Sequence, residues 1–123
     1  MIDLFREGGW GMFPVLAFGL IALVSAGRYA WDCEPARLRF TAAVGVVLTL
    51  SMLHAMLTNV AAVFWYVQDP ERAPDAELTR IVFTGLMEST RPGALGGVFL
   101  ILAAVFATVG VYRSGQRELR AAA

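Results

Sequence analysis

Residues 40–67 read FTAAVGVVLTLSMLHAMLTNVAAVFWYV and contain no Asp, Glu, Lys or Arg. A helix crossing the hydrocarbon layer of a bilayer needs ~20 mostly apolar residues, so this run can span with tilt or protrude. It ends in Phe64, Trp65 and Tyr66, the aromatic belt expected at a membrane surface. Two more apolar runs lie on either side of it. Residues 9–27 are closed by Arg28 and followed by Tyr29 and Trp31, a second belt. Residues 92–112 are closed by Arg113. Lipid offers no partner to backbone polar groups, so all three runs are read as helices. Pro14 falls in the first turns of its helix, where a missing N–H costs least.

The composition agrees. Of 123 residues, 58% are hydrophobic and 16% charged, with a mean hydropathy of +0.63, which points to an integral membrane protein. Ten basic residues, all arginine, balance ten acids, so there is no basic stripe for nucleic acid. The apolar content excludes disorder, and the single cysteine, Cys33, excludes a disulfide scaffold. No cofactor or metal is expected, since one His and one Cys make no ligand cluster. No nucleophile has a neighbouring base, so no enzyme activity is expected. Gly8-Gly9-Trp10-Gly11 opens a membrane helix without a preceding strand and fails the context test for a phosphate loop.

The expected architecture is one three-helix membrane domain over residues 1–123, with helices at about 9–31, 40–67 and 78–112. Leu78, Ile81, Val82, Gly85 and Leu86 recur at helical spacing, so the third helix starts near Leu78 and bends near Pro92. A polar link, residues 32–39, joins the first two helices, and a loop with two prolines and four acids follows the second. A short charged tail runs from Ser114. A cleavable signal peptide fits poorly, because Asp3 and Glu7 outweigh Arg6 before the first run. Arg6, Arg72, Arg80 and Arg91 fall on one side of the membrane. Arg28, Arg37, Arg39, Arg113, Arg117 and Arg120 fall on the other. The positive-inside rule then puts the N-terminus outside and the C-terminus in the cytoplasm.

Polar side chains at membrane depth are costly and therefore informative. Ser51, His54 and Thr58 lie within about 60° of one another on a helix, with Asn59 at the edge of the stripe. The stripe has two readings: interhelical hydrogen bonding, or a lining for proton transfer in which a histidine changes charge near neutral pH. Thr49 lies on another face, where a bond back to its own helix competes with any functional role. Glu88 is the one acid close to an apolar helix, and Arg91 at i+3 is placed to pair with it. It reads either as an interfacial ion pair or as a carboxylate at a pore mouth. Gly93, Gly96 and Gly97, like Ala22 and Ala26, suit close helix packing. Met52 and Met56 share a face and fill gaps, and Cys33 reads as a passive interfacial residue. Three helices cannot enclose a polar path alone, so a homo-oligomer is expected.

The opening Phe5-Arg6-Glu7-Gly8-Gly9-Trp10-Gly11-Met12-Phe13-Pro14-Val15-Leu16, followed by an apolar run and Arg28, resembles the first membrane helix of the MotA/TolQ/ExbB proton channel family. Gly85-Leu86-Met87-Glu88-Ser89 looks like that family's Gly-Ile-x-Glu-Ala stretch. Val44-Gly45-Val46-Val47-Leu48-Thr49 looks like its Leu-Gly-Leu-Leu-Gly-Thr stretch. The family's large cytoplasmic insertion is absent, and its threonine pair falls on Pro92 and Gly93. The resemblance implies an all-α integral membrane protein with three transmembrane helices, assembled as a ring of about five copies in a bacterial inner membrane. It also implies a single-span partner of MotB/TolR/ExbD type. The function implied is that of a stator-type subunit coupling proton flow to work. Thr49, Ser51, His54, Thr58, Asn59 and Glu88 are the pore candidates. The rival is a non-conducting scaffold of the same fold. A four-helix multidrug transporter is disfavoured, because residues 9–27 hold no carboxylate.

Overall fold

The computed structural model describes residues 9–75 and 77–122. Asp3, Phe5, Arg6, Glu7 and Gly8, on which part of the resemblance and of the topology argument rest, lie outside the described residues. The described residues form four helices and no strands, with a non-helical loop between the second and third. Helix α1 is Met12–Asp32, α2 is Pro35–Val67, α3 is Leu78–Ser89 and α4 is Arg91–Ala122. Taking α3 and α4 as one interrupted element, three helices are long and apolar enough to cross a membrane.

The boundaries differ from expectation at three points. Helix α2 begins at Pro35, not near residue 40, because proline suits the first helical position. Only Cys33 and Glu34 therefore separate α1 from α2. Cys33 caps α1 in the left-handed conformation, φ 60°, and its N–H donates to the Tyr29 carbonyl at 2.9 Å. The third helix breaks at Thr90, two residues before Pro92. Proline has no N–H for the Glu88 carbonyl and disfavours helical geometry in the residue before it. The predicted tail is instead a continuation of α4 to Ala122. Residues 116–122 are almost all strong helix formers. In addition, Arg113 donates to the Ala30 carbonyl at 2.7 Å, and Arg117 donates to those of Asp32 and Trp31 at 3.0 and 3.3 Å. These bonds satisfy carbonyls that the end of α1 leaves orphaned.

Small residues set the packing. Helices α1 and α4 run parallel. A methyl group added at Gly19 would lie 2.4 Å from Phe99, and one at Gly110 would lie 2.6 Å from Tyr29. Helix α2 runs antiparallel to both, with Gly85 against Val63, Gly93 against Met56 and Gly96 against Met52. At the other end of α1, Gly11 meets Ala55. Ala22, Ala26, Val44 and Ala103 form the central core, flanked by Phe18. Such close backbone approach replaces the hydrophobic effect, which does not drive helices together inside lipid. Nothing in the chain lies within 4 Å of a methyl group placed at Gly97, which is half-buried. Gly93 and Gly96 do meet a helix of the same chain.

Candidate functional site

The contacts between helices give the height of each residue. Ser25 meets Thr41 and Tyr29 meets Gly110, so Arg28 is level with Leu38 and Arg39. The arginines and Trp31 mark one membrane surface. A hydrocarbon layer of ~30 Å is ~20 helical residues. Counted from Arg39, it ends near Asn59 on α2. Counted from Gly110, it ends near Thr90 on α4. Asn59 and Glu88 therefore sit at the second surface, while α3 and the Phe64–Tyr66 end of α2 project into the headgroup layer.

At that second surface α2 and α3 diverge into an open groove of about 620 Å³. One wall is the helical stripe Asn59, Ala62, Val63 and Tyr66. The other is Glu77, Arg80, Ile81, Thr84, Gly85 and Glu88. Ser89, buried between them, donates to the Gly85 carbonyl at 2.8 Å. Glu77 and Glu88 lie three turns apart on one face, ~16 Å along the axis, too far to act as a pair on one small molecule. The described ion pairs are Arg37 with Asp32 and Glu34, and Arg72 with Asp69.

The expected polar stripe divides. Thr41, Val44, Leu48 and Ala55 form the buried face of α2. Asn59, one turn beyond Ala55, lies on that side and lines the groove with Glu88. His54 and Thr58 are exposed and Ser51 half-buried on the outer flank of the helix. By the same residue count, His54 lies ~7 Å and Ser51 ~12 Å inside the second surface.

The hydroxyls do not bridge helices as anticipated. Ser51 donates to the Val47 carbonyl at 2.8 Å. Thr58 donates to those of His54 and Ala55, each at 3.0 Å. Thr49, exposed on another flank, donates to Gly45 at 2.9 Å. A threonine or serine in a membrane helix satisfies its proton this way when no neighbour is in reach. The imidazole of His54 takes part in no hydrogen bond among the described residues. The outcome is two polar groups at successive depths, one in the groove and one on the outer flank of α2. Glu88 and Asn59 stand at the surface, then Thr58, His54 and finally Ser51 near mid-membrane. Below Ser51 the outer flank of α2 is apolar for about two turns.

A hydrogen bond between side chains of different helices lies elsewhere. Ser25 and Thr41 are 2.8 Å apart, and Thr41 spends its own proton on the Arg37 carbonyl at 2.8 Å, so Ser25 is the donor between them. Sequence reasoning passed over this pair, and over Tyr66, Glu77, Arg80 and Thr84 in the groove. The i, i+3, i+4, i+7 spacing of residues 77, 80, 81, 84 and 88 was the available signal. No group of three or more metal-ligating side chains occurs among the described residues.

The chain matches no protein-family model, no curated protein and no solved structure.

Proposed function

We propose that this membrane protein is the ring-forming subunit of a stator-type proton channel, in which several copies surround the membrane helix of a partner. The observation that carries the reading is the polar outer flank of α2, Thr58, His54 and Ser51, beside the groove that holds Asn59 and Glu88. It begins next to the groove and, by residue count, stops about halfway through the hydrocarbon. An exposed imidazole at that depth is unfavourable against lipid and calls for another chain. Three helices packed on themselves leave this flank on the outside, so a neighbouring copy or a partner helix has to cover it. A half-channel that ends at mid-membrane suits a partner that contributes its own titratable group there, as the resemblance to the MotA/TolQ/ExbB family implies. In that scheme Glu88 and Asn59 admit protons at the groove, and His54 passes them towards the partner. The groove opens on the side that the arginine distribution puts outside, in a bacterial inner membrane.

A second reading is a non-conducting scaffold of the same assembly. It is favoured by Pro92, which is fully buried, and by Gly93, which packs against Met56. These two residues stand where the family carries a threonine pair, and neither offers a hydroxyl.

The test is the mass of the complex in nanodiscs, with identification of co-purifying chains, followed by proton flux in vesicles. An assembly of about five copies with a single-span partner, passing protons in a His54-dependent way, is the expected result. An assembly without flux selects the scaffold. A monomer with no partner overturns both.

A further inference from the structure

The opposite end of the molecule carries a second cleft, of about 430 Å³, between the last turns of α1 and the first turns of α2. It is lined on α1 by Ile21, Val24, Ser25 and Arg28, on α2 by Ala36, Arg37 and Phe40, and between the helices by Glu34, whose carboxylate is held by Arg37. The helices touch at Ser25 and Thr41, but the side chains flanking that contact do not close over it. Ile21, Val24 and Phe40 are 43%, 59% and 54% exposed, an apolar floor open to the surrounding bilayer. The lining is graded along the membrane normal. Ile21 is the deepest residue and Arg28 lies ~10 Å nearer the surface, at the level of the aromatic belt.

The cations at the mouth differ in their commitments. Arg37 is held by Asp32 and Glu34. Arg28, the other lining cation, is exposed and pairs with no acid among the described residues. Arg113 and Arg117 are turned onto the α1 carbonyls close by. An arginine without an acid partner above an apolar trough presents fixed positive charge where a phospholipid carries its phosphate, and apolar surface where it carries its chains.

We propose that this cleft holds one anionic phospholipid of the surrounding bilayer, its phosphate at Arg28 and one acyl chain laid over Ile21, Val24 and Phe40. Basic pockets between membrane helices capture anionic headgroups in this manner. A second copy of the chain is a poorer occupant, because at this height it presents the same arginines. A soluble phosphate would leave the apolar floor unused. The site is independent of the proton-channel reading, since it lies at the other membrane surface and uses none of its residues.

The experiment is native mass spectrometry of the full-length protein released from nanodiscs containing equal amounts of phosphatidylglycerol and phosphatidylcholine with identical chains. The wild type is expected to retain phosphatidylglycerol about fivefold over phosphatidylcholine, the contribution of roughly one arginine near a charged lipid surface. Arg28→Gln should bring the ratio close to one. Val24→Trp, which fills the trough from its lipid side, should remove both adducts without disturbing the helix contacts. Arg120→Gln, in the last turn of α4, should change nothing. Equal retention of the two lipids by the wild type, or unchanged preference in Arg28→Gln, overturns the proposal. So does full displacement of phosphatidylglycerol by millimolar inorganic phosphate, which would assign the site to a soluble anion.

Discussion

The guanidinium of Arg113 donates to the backbone carbonyl of Ala30 at 2.7 Å, joining positions 83 residues apart in the chain. The same guanidinium lies 6.0 Å from the centre of the Trp31 ring. One side chain on α4 thereby fixes where α1 ends. A charge-assisted bond of this kind contributes ~1.5–3 kcal/mol when sheltered, and less where water reaches it. Replacing Arg113 with Ala should therefore cost about 1 kcal/mol. It should also speed hydrogen exchange in the last turn of α1 and leave the Gly11–Ala55 end unchanged. Thermal unfolding in detergent and exchange mass spectrometry read the two effects separately.

Gly96 and Gly97 are neighbours in sequence and opposites in space. An added methyl group at Gly96 falls 2.3 Å from the Met52 sulfur and 3.1 Å from Val15, whereas at Gly97 it meets nothing within 4 Å. The methionine can move aside, but only by loosening its own packing. Gly96→Ala should destabilise by about 1–3 kcal/mol, the usual cost of overpacking. Gly97→Ala should be neutral or stabilising by up to about 1 kcal/mol, through helix propensity. Equal effects of the two substitutions on the melting temperature would contradict the register described above.

The three apolar helices were legible because their signal is composition, which bilayer thickness converts directly into length. The break near Pro92 was legible for a similar reason: the missing N–H is a property of the residue itself. The continuation of α4 to Ala122 was hidden, because Arg113 and Arg117 are held by carbonyls of a different helix, and a charged stretch alone reads as a tail. The polar stripe was half legible. Periodicity placed Ser51, His54 and Thr58 together, but the rotation of α2 decides which of its neighbours face inward. That rotation is set by Gly93 and Gly96 receiving Met56 and Met52, and it carries Asn59 to the groove and His54 to the outside. The spacing of Gly93, Gly96 and Gly97 likewise identifies small residues but not which of them meets a helix of the same chain.

Cys33 is the single non-glycine residue with positive φ among the described residues, at 60°. A side chain in the left-handed region costs ~1–2 kcal/mol, a penalty that glycine does not carry. The cap bond from the Cys33 N–H to Tyr29 is a backbone bond and survives substitution. Glycine gives some of this back by gaining freedom in the unfolded chain. Cys33→Gly should raise stability by about 0.5–1 kcal/mol. Cys33→Val, with a branched β-carbon in the same conformation, should lower it by a similar or larger amount. A thermal-shift series over the three side chains in one detergent checks the order.

His54 separates stability from function. Its imidazole is exposed on the outer flank of α2 and bonds to nothing among the described residues of its own chain. His54→Leu should therefore leave the unfolding of the isolated subunit within about 0.5 kcal/mol of the wild type, as for surface substitutions that break no contact. Its effect belongs to whatever covers the flank in the assembly. If His54 carries protons between Thr58 and a partner's titratable group, the variant should assemble with unchanged mass while flux in vesicles falls at least tenfold. Thr58→Val should lower flux less, because that hydroxyl already spends its proton on the carbonyls of His54 and Ala55. If His54 only binds its neighbours, the loss should appear in the assembly mass, and wild-type vesicles should pass no protons at all. A leucine variant that keeps both full assembly and full flux would remove His54 from the path and leave Glu88 and Asn59 leading nowhere.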